Sequence, residues 1–333
     1  MIRWARLFVA VMLVFGTNAQ SANDSGVASV NISTYGGGIG HWCLYAAEDQ
    51  GYLDQAKVKI GNHLTIFGDP NIVNSLLSGE VDIALGSAGT IVPVANGQTD
   101  QIVVVAQTEG FPVSIVAPES ITSVAQLAGK TIAMQPNNAS PSILGAYLID
   151  QLVGKGKWTP LYLGGPDAAH VALVGAGKAD AVMVNDPVTL DPALHLHLLT
   201  RLVSHPPLVN GPAFATKRFL QARPDAAIRF LAAFSKGCDF LLDTKNRTAA
   251  IGYLVNQSHV SPVAAANAYD YYITGTERGQ VPPRDARVDV AGFERAVDLL
   301  KGAGTITNKA FAAKSAIDMS YLEKGIQMAK SFK

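Results

Sequence analysis

The sequence predicts an α/β fold of two domains facing each other across a ligand cleft, with a helical C-terminal region. Three observations predict it. One signature occurs twice: residues 76–88 read LLSGEVDIALGSA and residues 174–187 read VGAGKADAVMVNDP. In each copy an apolar segment stops at a glycine, Gly79 or Gly177, and an aspartate, Asp82 or Asp180, opens a short apolar run. Glycine just past a helix supplies the left-handed turn that other residues resist. The runs at 83–85 and 181–184 suit strands buried on both faces of a parallel sheet. Second, each run ends at small polar residues, Ser87 in one copy and Asn185 with Asp186 in the other. Ligands of open α/β sheets sit just beyond such strand ends. Third, helical patterns dominate after Lys217, where few strands are readable.

Taken in order, residues 30–35 alternate apolar and polar positions as a strand does. They run into Gly36-Gly37-Gly38-Ile39-Gly40, after which 41–50 reads as a helix closed by Gly51. A glycine-rich strand-to-helix turn lets backbone N–H groups approach a ligand. The dinucleotide fingerprint is not met, because the third glycine falls at His41 or Cys43. A strand at 58–67 turns through Gly68-Asp69-Pro70 into a helix at 71–77, and helix 90–95 precedes a buried strand at 101–107. The chain then runs extended through 111–117, and Gly129-Lys130-Thr131 opens the next strand, 131–134. A phosphate loop needs glycine where Val124 stands and a lysine that opens a helix, so nucleotide binding is excluded.

A second α/β cycle follows. Residues 136–140 lead to a helix with Ser140 as N-cap and Pro141 in its first turn. Strand 161–163, helix 168–174 and the second signature copy come next, and 199–203 reads as the strand returning to the first half. Helices are expected at 224–242, 247–256, 262–272, 290–303 and 321–330, covering the first half.

The 333 residues carry 26 basic and 26 acidic side chains, a balance that points to neither nucleic acid nor a membrane surface. Residues 1–19 have the layout of a signal peptide: Arg3 and Arg6, an apolar core at 7–15, then small residues ending at Ala19. The mature protein is therefore expected to be exported, without a membrane-embedded segment. Cys43 and Cys238 are the two cysteines, and they read as separate core thiols, unpaired.

Several side chains carry two readings. Tyr35, His41 and Trp42 flank the glycine turn and are either core and cap residues or ligand contacts. Ser87 and Ser140 are N-caps that can also donate to a ligand. Asp82 and Asp180 lie at the far strand ends and are expected to hold backbone amides there. His195 and His197 have the spacing of metal ligands on one face of a strand, but no cysteine or carboxylate cluster accompanies them. No G-x-S-x-G elbow is present.

Five stretches carry a family resemblance: 48–52 (EDQGY), 76–83 (LLSGEVDI), 123–133 (SVAQLAGKTIA), 177–187 (GKADAVMVNDP), and 219–230 with Pro224 before a helix. In that order they resemble a type II periplasmic solute-binding protein of an ABC transporter, in the branch that handles sulfonates, taurine, nitrate and thiamine-type pyrimidines. The resemblance implies that fold, with residues 20–112 and 206–333 as a discontinuous first domain and 113–205 as the second. It implies hinges near 109–116 and 204–210, a monomer without cofactor, and a periplasmic location. Its partners would be a small-molecule solute and an ABC permease with its ATPase. The implied ligand set is Tyr35, Gly37, Gly38, His41, Trp42, Ser87, Ala88, Asn138, Ser140, Asn185 and Asp186. The implied solute is a sulfonate, carboxylate or nitrate-like anion, including aromatic ones. Yet no arginine stands between Arg6 and Arg201, and Asp186 would repel an anion. That leaves the charge of the solute open, with a neutral or aromatic solute stacked on Tyr35 or Trp42 as the other reading. The alternative is an enzyme of the same fold in pyrimidine or menaquinone precursor synthesis. Against it stand the export signal and the lack of a cysteine-rich segment.

Overall fold

The computed structural model describes residues 26–35, 39–185, 195–202, 206–258, 260–275 and 282–333. The expected signal peptide, Gly36, Gly37, Gly38 and Asp186 lie outside them. Ten strands form two sheets: β1 (Ala28–Thr34), β2 (Val58–Thr65), β3 (Ile83–Leu85), β4 (Ile102–Glu109), β5 (Val113–Ala117), β6 (Thr131–Met134), β7 (Thr159–Tyr162), β8 (Ala181–Asn185), β9 (His197–Arg201) and β10 (Gly211–Thr216). The first sheet has the order β2-β1-β3-β10-β4 and the second β7-β6-β8-β5-β9. Three parallel strands lead each sheet, and an antiparallel strand stands fourth. That fourth strand arrives from the other half each time: β5 follows β4 of the first sheet, and β10 follows β9 of the second.

The twin signature is the same device twice. Gly79 and Gly177 take φ of 84° and 65° after their helices, as the turn requires. Asp82 accepts the Asn31 N–H at 2.8 Å, and Asp180 accepts the Thr131 N–H at 2.8 Å. Each carboxylate thereby registers its strand against the preceding parallel one. Arg223 adds an ion pair to Asp82 at 3.2 Å and Lys130 one to Asp180 at 3.1 Å. The structural role expected for both aspartates is what the structure shows.

The strand expected near 199–203 is β9, and it stays in the second sheet beside β5. The return to the first sheet is β10, just past the expected hinge at 204–210, where no strand was expected. His195 has φ of 51° and precedes β9, so the two histidines do not share a strand face.

Two large apolar clusters fill the molecule. One lies between the first sheet and the C-terminal helices, where Pro224–Leu242 packs on Trp42–Asp49. The other is continuous through both halves: Ile72, Ala84 and Val104 of the first share it with Ile132, Leu144 and Met183 of the second. Helix Val290–Gly302 contributes Phe293 and Val297 to that shared cluster.

Cys43 and Cys238 form a disulfide with a Cα–Cα distance of 4.5 Å, which corrects the expectation of two free thiols. The reason is Gly237. A Cβ there would run into the Cys43 carbonyl oxygen and lie 3.0 Å from the Ala47 nitrogen. Its absence lets the two helices approach closely enough for the neighbouring sulfurs to bond.

Candidate functional site

The carboxyl ends of β1, β3 and β6 converge. Tyr35 follows β1, Ser87 follows β3, and Ser140 opens helix Ser140–Val153 after β6. Their hydroxyls meet: Tyr35 Oη lies 2.8 Å from Ser87 Oγ, and Ser140 Oγ donates to Ser87 Oγ at 2.9 Å. Asn210, just before β10, accepts from Ser140 Oγ at 3.1 Å through its Oδ1. Two strand ends of the first sheet and one of the second thus share one hydrogen-bonded cluster.

Asp69 sits at its centre. Its Oδ1 accepts from Tyr35 Oη at 2.8 Å, from Ser87 Oγ by a short bond, and from Thr90 Oγ1 at 3.4 Å. Its Oδ2 accepts the Ser140 backbone N–H at 2.9 Å, across from the other half. The carboxylate therefore fills the place at the start of helix Ser140–Val153 where positive partial charge gathers. Gly89 makes room for it, because a Cβ there would overlap Asp69 Oδ2. Burial first, then the Asp69 charge, holds the Tyr35 hydroxyl protonated well above the usual tyrosine range.

Glu109 ends β4 nearby. The following residue, Gly110, accepts the Asn210 N–H at 2.9 Å. A Cβ built on Gly40 would fall 2.7 Å from the Glu109 carboxyl carbon, and one built on Gly211 would press on its Cγ. Burial pushes this carboxyl up to about 8.

Tyr35, Ser87 and Ser140 come together. Ala88 is fully buried beside them and donates its N–H to the Asn210 carbonyl at 2.9 Å. His41 is buried, with Nε2 3.4 Å from the Tyr35 nitrogen. Asn138 is exposed at the seam of the halves, where it lines two cavities of about 710 and 380 Å³. Asn185 ends β8, its backbone paired to Val113.

Trp42 is elsewhere. It is fully buried, donates its indole N–H to the Ala250 carbonyl, and meets Tyr269 edge to face at 5.8 Å. Of its two readings, the core aromatic is the one the structure shows. Ser87 holds the N-cap position expected of it, although its hydroxyl makes no cap bond. For Ser140 the N-cap reading is corrected: Ala139 holds that position, and both hydroxyls serve the cluster.

Asp69, Glu109 and Asn210 escaped the sequence reading. Asp69 passed for a turn residue in Gly68-Asp69-Pro70, although it follows β2, whose end also faces the cleft. A β-strand end followed by an acid in the first turn of a helix was the available signal.

Family comparison agrees with this architecture. Residues 39–247 match the family described as NMT1/THI5 like, and the chain belongs to that family. YtlA of Bacillus subtilis (strain 168), provisionally named as a binding protein, is 31% identical over 159 residues. That match spans 45% of this chain and 47% of the relative, about half of each. Among solved structures, the alkanesulfonate-binding protein SsuA from Xanthomonas axonopodis pv. citri bound to MOPS superposes with a TM-score of 0.67. It is 19% identical, with 87% of this chain and 98% of that one covered. The periplasmic nitrate-binding protein NrtA from Synechocystis PCC 6803 gives a TM-score of 0.73 at 12% identity, covering 90% and 89%. At these identities the likeness establishes the fold: two sheets of the periplasmic binding protein type.

Proposed function

We propose that the chain is an extracytoplasmic solute receptor of an ABC importer, capturing a small organic solute between its halves and handing it to a membrane permease. The observation that carries this is the single polar cluster built from the ends of β1, β3 and β6, two strands of one sheet and one of the other. A site whose walls belong to two halves, joined by two crossing segments, binds by hinged closure. On this reading residues 20–112 with 206–333 form one domain and 113–205 the other. The solute lies against Tyr35, Ser87, Ala88 and Ser140, near His41, Asn138 and Asn185. No helix among the described residues is long and apolar enough to cross a membrane.

The disulfide supports the compartment, since such bonds persist where the surroundings are oxidising. It also weakens the enzyme alternative. Both cysteines of the chain are used in it, so a cysteine-dependent synthase chemistry has no thiol to work with.

The test starts from the solute released on denaturing protein purified from a periplasmic extract, identified by mass spectrometry. Calorimetry with that solute then compares wild type with Ser87→Ala and Ser140→Ala. Each variant should lose roughly 1–3 kcal/mol of affinity, the cost of leaving a buried partner unpaired. Wild-type affinity in both variants would place the site elsewhere.

A further inference from the structure

An oxyanion entering the cleft would find the donors there already occupied. At the convergence of strand ends, the Ser140 N–H and the hydroxyls of Tyr35 and Ser87 all point at the Asp69 carboxylate. The protein supplies its own anion there, and a solute anion would have to displace it. No arginine lies between Arg6 and Arg201 to compensate, and the Arg201 guanidinium sits 3.5 Å over the Tyr271 ring.

A second acid waits without a counterion. The Glu109 carboxyl has no hydrogen bond or ion pair with any described residue. Glycines at positions 40 and 211 form two sides of its recess, and either one given a side chain would collide with it. Asn210 links this recess to the Ser140–Ser87 cluster through Gly110. The half-buried carboxyl is thus held in a recess without a partner of its own, placed to pair with a charged group that enters the cleft.

Resting on the receptor reading above, we propose that the solute carries a basic nitrogen, a protonated amine or amidine, which pairs with Glu109, and that Asp69 keeps free oxyanions out of the cleft. Burial raises the proton affinity of the Glu109 carboxyl. A cation beside it favours the ionised form and opposes that effect. The two carboxylates then divide the work: Asp69 is satisfied by the protein, and Glu109 is left for the solute.

Calorimetry at pH 7.5 with ethanolamine, benzylamine and benzamidine, and with ethanesulfonate and nitrate, tests the assignment. At least one amine or amidine should bind wild type, and Glu109→Gln should weaken it tenfold or more while melting temperature without solute holds or rises. Neither anion should bind wild type. Silence of all three nitrogen bases, or an amine that binds Glu109→Gln as well as wild type, overturns the proposal. An anion that binds wild type and is weakened by Ser140→Ala overturns it too, yet leaves the cleft reading standing. A base weakened by Glu109→Gln but indifferent to Ser87→Ala and Ser140→Ala does the reverse.

Discussion

Trp42 shows how one side chain changes role once its neighbours are known. Beside a glycine-rich turn it offers a stacking surface, but its indole N–H is spent on Ala250 and its face on Tyr269. Trp42→Ala should therefore cost stability, about 3–5 kcal/mol for a buried tryptophan emptied to a cavity. A chemical-denaturation curve that matches wild type would refute this. Glu109 differs in kind, because its effect depends on pH. Its folded-state value is about 8, against about 4.3 in an unfolded chain. Between those values the folded protein holds a proton that the unfolded chain has released. Stability therefore falls as pH rises from about 4.3 toward 8, and the penalty is absent below that window. Glu109→Gln keeps the shape and removes the titration. Its melting temperature relative to wild type should rise steadily from pH 5 to pH 8; a constant difference would show that the carboxyl is not desolvated.

At the scale of elements, most of the architecture was legible because it rests on local patterns. The runs at 83–85, 131–134 and 181–184 are strands, and helix Pro224–Leu242 has the expected bounds. Strand β10 was not legible. Its sequence, GPAFAT, places Pro212 inside a central strand, a position that normally argues against one, and the ladder accommodates it by a register shift beside Gly211. Long-range features hid for the same reason. Asp69 meets Ser140 across 71 residues and Cys43 meets Cys238 across 195. Only Gly237, beside Cys238, hinted that two helix backbones touch. The disulfide staples helix Trp42–Asp49 to helix Pro224–Leu242 within the first apolar cluster. Closing so long a loop restricts the unfolded chain, so reduction should cost about 2–5 kcal/mol. Thiol counting in denaturant should find none without reductant and two with it. The melting temperature should fall on reduction, and an unchanged value with both thiols free would refute the staple.

For the whole molecule, the two halves are joined in two chemically different ways. The shared apolar cluster binds them through Ile72, Ala84, Leu144 and Phe293, contacts that resist separation. The polar cluster binds them through Asp69, Ser87, Ser140 and Asn210, contacts that water can replace. Opening should therefore break the polar tie and leave the apolar one as the pivot. Within the tie, the bond from the Ser140 N–H to the Asp69 carboxylate is charge-assisted, and such bonds contribute about 1.5–3 kcal/mol. That is enough to shift an open–closed balance by roughly one to two powers of ten. Asp69→Ala removes the carboxylate while leaving the apolar pivot intact. The prediction is that solute-free Asp69→Ala populates the open form, with a larger radius of gyration in small-angle scattering than solute-free wild type. Its melting temperature should fall as well, since the same carboxylate accepts from Tyr35, Ser87 and Thr90 within the first half. Superimposable scattering curves for the two proteins would mean that the apolar cluster alone sets the angle between the halves.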